Sequence, residues 1–362
     1  MKILICVHNL SNGGAERVAS LWAKGFVNHG YEVHIAICEK DAPPDYDIPN
    51  EVDTHLISAS GFSIIRYIRK VVLLRKLLKE IKPDVALGIL RPWNYWLVFA
   101  SWGMNIKLIN TEHDSFERPN TAPMPKGQWF DKFVWNRLFM GVTVLTEADR
   151  RLLYGRCKNV FVLPNPLSFV PSELVINEKL EVIVAAGRLN IWYCKGFDNL
   201  IKAWGSIANK YPSWRLVIAG NGDEEDNNYL RKLADSTGRG FQIEFLGFRK
   251  NLADVFRQAE VFVLSSRFEG FGMVLIEAMS QGCACVACDY GGRQGEIIEN
   301  GLNGLLSPPD DWRVLADRID SLLNDEMLRR SLQREAIKRS QDFEIDNIVN
   351  RWESIFYHLN IE

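Results

Sequence analysis

No apolar run in this 362-residue chain is long enough to cross a bilayer. The nearest candidate, Trp93 to Met104, is short and contains Asn94. The expectation is a soluble protein, at most peripheral to a membrane. A surplus of one charge is also missing: 43 Lys and Arg stand against 45 Asp and Glu, a formal net charge of -2. That balance speaks against wholesale nucleic-acid binding, and no nucleic-acid partner is expected. The seven cysteines are odd in number and scattered, so they offer no disulfide framework and suit a reducing cytoplasm. Cys283, Cys285 and Cys288 cluster in CACVAC, but no second Cys or His cluster answers them. They read as small hydrophobes of a buried strand rather than metal ligands, and no metal is expected. The G-x-G-x-x-G fingerprint is absent after the first strand, which weakens hydride chemistry. Ile3 to Val7 is too short for a signal-peptide core and reads as that first strand.

What is present is the composition of an ordinary globular protein, 47% hydrophobic and 24% charged, at a length comfortable for two domains. Short apolar runs alternate with helical patterns along the chain. Strands are expected at Glu32–Ile37, Val85–Ile89, Lys107–Asn110, Val142–Leu145 and Val160–Leu163, and in the second half at Val182–Ala186, Leu216–Ala219 and Val261–Leu264. Such alternation implies parallel sheets covered on both faces, with ligands at the carboxyl ends of the strands. Leu163-Pro164-Asn165-Pro166 breaks any regular element and opens a more polar stretch. The expected domains are therefore 1–166 and 167–344.

The most informative stretch is Arg267 to Gly304. After an apolar strand, Glu269 leads into Gly270-Phe271-Gly272, and an amphipathic helix carrying Glu277 follows until Gly282. A strand, a Gly-containing turn and a helix put backbone N–H groups where a phosphate can sit. The two carboxylates cannot serve phosphate, because like charges repel, but they suit the hydroxyls of a sugar or ribose. The local reading is a site for a ligand with both phosphate and polyhydroxyl groups. Glu-(seven residues)-Glu within EGFGMVLIEAMSQG, followed by a short strand and Gly291-Gly292, resembles the signature of retaining GT-B glycosyltransferases of family 4.

That resemblance covers nearly the whole chain and is strongest from Glu181 to Leu306. It implies an α/β protein of the GT-B class, two Rossmann-like domains with parallel sheets facing a central cleft. The first domain would bind the acceptor and the second the nucleotide sugar, with 345–362 a helix crossing back to the first. It also implies site residues. Arg188 and Lys195 answer to the family's phosphate-binding pair, although the NIWYC segment between them is slightly longer than is usual. Glu269 would meet the donor sugar, Glu277 the ribose, and Gly247, Phe248 and Arg249 the base. The turn Asn12-Gly13-Gly14-Ala15-Glu16-Arg17-Val18 resembles the family's first loop near the donor diphosphate. His113, in Thr111-Glu112-His113-Asp114, resembles the His close to the donor sugar, while a lone His is also commonly structural.

The implied partners are a nucleotide-sugar donor, a UDP-sugar by family habit, and a glycan or lipid-linked sugar acceptor, with no cofactor. Transfer of a hexose or N-acetylhexosamine with retention would follow, in surface polysaccharide or glycan assembly. Two further features keep alternatives open. Asp45-Tyr46-Asp47 formally matches the metal-binding Asp-x-Asp of the other large glycosyltransferase fold, but its Pro-rich setting reads as a solvated loop. Ser63 to Lys82 is a basic amphipathic pattern in which Arg66, Arg69, Lys70, Arg75, Lys76 and Lys79 face one acid, Glu80. It suits an anionic membrane surface, on the cytoplasmic side, or an ordinary helix packed on the sheet. The rival functions are a sugar-nucleotide epimerase or glucan synthase on the same fold, or a non-catalytic sugar-nucleotide scaffold. The scaffold would be marked by loss of Arg188, Glu269 or Glu277, and all three are present.

Overall fold

Short apolar runs bounded by Gly, Asn and Asp become parallel strands, because a strand buried on both faces needs no polar alternation. The computed structural model describes residues 1–11, 13–38, 46–60, 62–173 and 179–361. The chain falls into two compact units: Met1–Phe116 with Pro123–Ser168 and Glu344–Glu362, and Glu117–Ala122 with Phe169–Phe343. Asn12 of the first Gly-Gly turn and Asp45 of the Asp-x-Asp match lie outside the described residues.

The first unit runs β1 (Lys2–Val7), α1 (Gly14–Asn28), β2 (Glu32–Ile37), β3 (Asp53–Leu56), α2 (Ser63–Ile81), β4 (Val85–Ile89), α3 (Trp93–Ala100), β5 (Lys107–Thr111), α4 (Lys126–Phe133), β6 (Gly141–Val144), α5 (Glu147–Leu152) and β7 (Val160–Val162). Among the described residues its sheet has the order β3-β2-β1-β4-β5-β6-β7, with all neighbours parallel. In the second unit follow β8 (Leu180–Ala186), α6 (Trp192–Lys195), α7 (Phe197–Ile207), β9 (Arg215–Ala219), α8 (Glu224–Ser236), β10 (Ile243–Gly247), α9 (Leu252–Gln258), β11 (Ala259–Leu264), α10 (Met273–Ser280), β12 (Ala284–Cys288), β13 (Leu305–Ser307), α11 (Trp312–Asn324) and α12 (Glu326–Ser340). This sheet has the order β10-β9-β8-β11-β12-β13, again parallel. Two parallel-sheet α/β units are what the GT-B resemblance implies.

The chain ends on α13 (Ile345–His358), which packs on α1 within the first unit. Aromatic packing holds the two helices together. Trp22 meets Trp352 edge-on at 5.1 Å between centroids, Trp352 stacks on Phe356 at 5.4 Å, and both Trp rings are fully buried. Gly25 makes the close approach possible, since a Cβ there would come within 2.6 Å of Ile345 Cγ1. Each buried ring pair of this type adds about 1 kcal/mol beyond its area.

One detail departs from the sequence reading: β3 was not anticipated, because its DTHL sequence is short, mostly polar and at a sheet edge. Further on, α11 begins at Trp312, where Asp311 caps it by accepting from the N–H groups of Arg313 and Val314 at 3.1 Å. After α12 the chain turns at Gln341–Phe343, where Phe343 enters the core and α13 starts. CACVAC forms β12 as expected. Its three cysteines are free and buried, and burial pushes the Cys283 thiol up to about 11 and Cys288 to about 12.

Candidate active site

In the second unit the chain winds away from β8 in both directions, through β9 and β10 on one side and β11 to β13 on the other. The gap between the carboxyl ends of β8 and β11 is therefore the topological switch point, where such sheets take ligands. Two loops open there. Gly187 to Lys195 follows β8, and Ser265 to Gly272 follows β11.

The loops are joined by charge. Lys195 Nζ donates to Glu269 Oε1 at 2.5 Å, and Ser266 Oγ donates to the same oxygen at 2.9 Å. Both charged side chains are mostly shielded, at 17% and 14% exposure. The longer spacing after Arg188 thus ends with Lys195 against the first Glu of the Glu-x7-Glu motif. Arg188 is exposed, and its guanidinium has no side-chain partner among the described residues. Gly272 takes φ +85°, the left-handed conformation that carries the chain into α10. Glu277 lies in that helix at 3% exposure, and Gly270 and Phe271 are buried before it. At the end of β10, Gly247 turns at φ +71° and leaves Phe248 and Arg249 exposed. Hydrogen bonds stitch the neighbouring strand ends together, Gly220 N–H to Gly247 O and Gly187 N–H to Ala219 O, both at 3.0 Å.

Sequence reasoning missed the group that fixes this arrangement. Arg267 is buried and clamps the short α6 turn: its backbone N–H donates to Cys194 O at 2.8 Å and Nη1 to Tyr193 O at 2.6 Å. The same guanidinium makes a two-pronged pair with Asp198 at 2.7 and 2.9 Å, and Nε bonds Asp310. Burial by itself would lower the Arg267 pKa, but the two carboxylates outweigh it and raise the value. Ser265 Oγ completes the clamp on Lys195 O at 2.9 Å, and the backbone passes so closely that only Gly fits at 196, where φ is +65°. The available signal was Arg267 standing two residues before Glu269 and Asp198 two residues after Gly196.

In the first unit, Gly13 caps α1 and Gly14 opens it, exposed. The Glu16 carboxylate folds back over Gly13, so a Cβ at 13 would strike it. An acidic group favours a helix N-terminus for the same reason a phosphate does. Tyr46 OH also donates to Gly13 O, at 3.0 Å. His113 is tethered through both ring nitrogens, Nδ1 with Asn165 Oδ1 at 3.1 Å and Nε2 with Thr111 Oγ1 at 3.2 Å. Burial holds its pKa down to about 4, so the imidazole is neutral at physiological pH. Beneath this turn Lys132 Nζ meets Glu112 Oε2 at 3.0 Å and Asp114 O at 2.8 Å, while Asn110 and Asn136 donate to Glu112 Oε1.

The basic residues of α2 divide. Lys70 sits over the Trp96 ring, Arg75 Nη1 donates to Ala100 O and Trp102 O, and Arg69 donates to Ser60 O. Arg66 and Lys76 are exposed and have no side-chain partner among the described residues. Only Leu74, Leu77, Leu78 and Ile81 of the helix are buried; Ile64, Ile68 and Val72 face solvent, as does Phe62 just before it. Among the described residues, no helix is long and apolar enough to cross a membrane.

Residues 12–168 match the family described as Glycosyltransferase Family 4, and residues 169–339 match Glycosyl transferases group 1. The chain is 28% identical, over 97% of its length and 97% of the relative's, to a Campylobacter jejuni protein named GalNAc-alpha-(1->4)-GalNAc-alpha-(1->3)-diNAcBac-PP-undecaprenol alpha-1,4-N-acetyl-D-galactosaminyltransferase. It is 27% identical, over 98% and 99%, to the amylovoran biosynthesis glycosyltransferase AmsD of Erwinia amylovora. Among solved structures it resembles Anabaena HepE, in complex with UDP and glucose, with a TM-score of 0.81 at 20% identity, covering 99% of this chain and 100% of that one.

Proposed function

The chain belongs to the family 4 type of GT-B glycosyltransferases, and on that premise we propose a retaining enzyme that uses a UDP-sugar donor. It moves a hexosyl or N-acetylhexosaminyl group to a lipid-linked glycan in surface polysaccharide or glycan assembly. The observation that carries this reading is the Lys195–Glu269 pair at the β8/β11 switch point, with the unpartnered Arg188 on the loop leading to it. As the bond from the anomeric carbon to the diphosphate lengthens, charge builds on the leaving oxygens. Arg188 offers a planar fork to them, and Lys195 keeps two of its three N–H groups for phosphate while one holds Glu269. These cations supply the compensation in this scheme without a metal.

Glu269 keeps lone pairs for donor-sugar hydroxyls, and Glu277 serves the ribose. No nucleophile of a hydrolase-type pair is assigned to Glu269, since the scheme follows the family's same-face route. The acceptor oxygen instead bonds to the anomeric carbon on the face the phosphate leaves, and its proton passes to a phosphate oxygen. His113 acts beside the donor sugar as a neutral hydrogen-bonding group. The α-linkage and diphospho-undecaprenol acceptor in the Campylobacter relative's name, and the amylovoran role of the Erwinia relative, support the retaining and lipid-linked parts of the reading. UDP in the Anabaena structure supports the donor class. The exposed apolar and basic face of α2 suits an anionic membrane surface on the cytoplasmic side, where a lipid-linked acceptor is found.

Release of UDP from a panel of UDP-sugars tests the chemistry. Arg188→Ala is expected to lower turnover by about 100-fold or more with the fold intact, since the side chain touches nothing structural. Near-normal turnover would sink the phosphate assignment. Flotation with vesicles tests the surface: recovery is expected with anionic and not with neutral lipid, and equal recovery with both would contradict it.

A further inference from the structure

The loop that carries Arg188 and Lys195 contains a helix too short to stand by itself. α6 spans only Trp192–Lys195, and a single turn fixes the backbone of several residues for very few hydrogen bonds. Tertiary contacts must therefore set its place. Toward Lys195 these are the bonds from Arg267 to Tyr193 O and Cys194 O. Toward Arg188 the loop is fastened to a different element, α8.

Leu189 N–H donates to Asn221 O at 2.8 Å, so the residue after Arg188 is stitched to the turn between β9 and α8. Gly222 in that turn permits the approach, since a Cβ there would come within 2.7 Å of Leu189 Cβ and 2.9 Å of Asn190 N. Trp192 then reaches α8 itself. Its ring stacks on Tyr229 at 4.4 Å between centroids and 27° between planes, and Nε1 donates to Asp226 Oδ1 at 2.9 Å. Asp226 and Tyr229 stand three residues apart and so share one face of the helix. A carboxylate acceptor makes the hydrogen bond the stronger, charge-assisted kind, and the stacked rings fix its direction. Tyr229 is exposed, which puts the pair at the rim of the unit rather than in its core. What the contact holds is the long stretch Asn190 to Cys194 between the two cations.

We propose that Trp192, tied to Asp226 and Tyr229, is a positioning residue of the transfer reaction: it acts through Arg188 and Lys195, so that α8 sets their grip on the leaving diphosphate. This rests on the glycosyltransferase reading and adds to it residues that never touch the donor. The fork of Arg188 and the point charge of Lys195 matter most at the terminal phosphate, which UMP lacks, while ribose and base are held elsewhere. Loosening the latch should therefore weaken UDP and spare UMP. Calorimetric titration of both nucleotides in EDTA reads the difference. The wild type is expected to bind UDP about tenfold or more tighter than UMP. Trp192→Ala is expected to lower that preference by about tenfold, the equivalent of one charge-assisted hydrogen bond, with UMP affinity unchanged. Asp226→Ala, which leaves the Asp223 cap of α8 in place, should move the preference in the same direction. Asp226→Asn keeps an acceptor for Nε1 and should restore it. The two Asp226 variants carry the test should Trp192→Ala fail to fold. A preference unchanged in Trp192→Ala and Asp226→Ala overturns the proposal. Equal loss of both nucleotides also overturns it, by making the contact merely structural. Wild-type protein that binds UDP no better than UMP would instead contradict the phosphate assignment of Arg188 and Lys195, so the two failures are distinct.

Discussion

Lowering the pH from 7.5 to 5 is expected to cost the folded chain about 2 kcal/mol through His113 alone. The folded pKa of about 4, depressed by burial, stands against an ordinary value of 6.5. Because the folded value is the lower one, the unfolded chain takes up a proton that the native ring refuses. Stability from this group is therefore complete above about pH 6.5 and is lost as the pH falls toward about 4, to a limit of about 3 kcal/mol at 1.36 kcal/mol per unit. Urea unfolding of the wild type and His113→Gln at pH 7.5, 6 and 5 isolates the effect, since all other titrations are common to both proteins. At pH 7.5 the variant is the less stable, having lost ring contacts with Trp22 and the bond to Asn165. The gap should close by about 2 kcal/mol at pH 5. Parallel stability curves would refute the neutral, largely shielded imidazole, and so would an NMR titration of the His113 ring with a midpoint near 6.5.

Other perturbations follow from the same contacts. Lys132→Met strands the Glu112 carboxylate, which is only 8% exposed, and is expected to cost about 3–5 kcal/mol in a chemical denaturation. Adding Glu112→Gln should recover most of the loss; no recovery would mean the cost is packing rather than charge. Gly196→Ala forces a side chain into the left-handed region and against Ser265 O, costing more than the roughly 1–2 kcal/mol of the conformation alone. Because it displaces Lys195, it should also weaken UDP binding, and a destabilised variant with unchanged affinity would uncouple the clamp from the site.

The sheets were legible because their strands are continuous apolar runs, and β1, β2 and β4 fall where Ile3–Val7, Glu32–Ile37 and Val85–Ile89 indicated. β3 was not, since Asp53-Thr54-His55-Leu56 holds a single apolar residue, Leu56, and no alternation. The individual motifs around Arg188, Lys195 and Glu269 stood out, but nothing in the sequence joined Lys195 to Glu269 across 74 positions. Arg267 was invisible for a related reason: an arginine reads as surface charge until the fold supplies its carboxylate, here Asp198, 69 residues away. Glu16 was readable in principle, as an acid three residues after a helix cap.

We propose that the second unit holds a nucleotide-diphosphate site that works through Arg188, Lys195 and Glu277. Calorimetric titration of the wild type and Glu277→Ala with UDP, GDP and ADP in EDTA tests it. UDP is expected to bind without metal, in preference to GDP and ADP, and Glu277→Ala to weaken UDP by about tenfold, the loss of a charged hydrogen bond to ribose. Absence of binding by all three nucleotides, or an unchanged UDP affinity in Glu277→Ala, would contradict it.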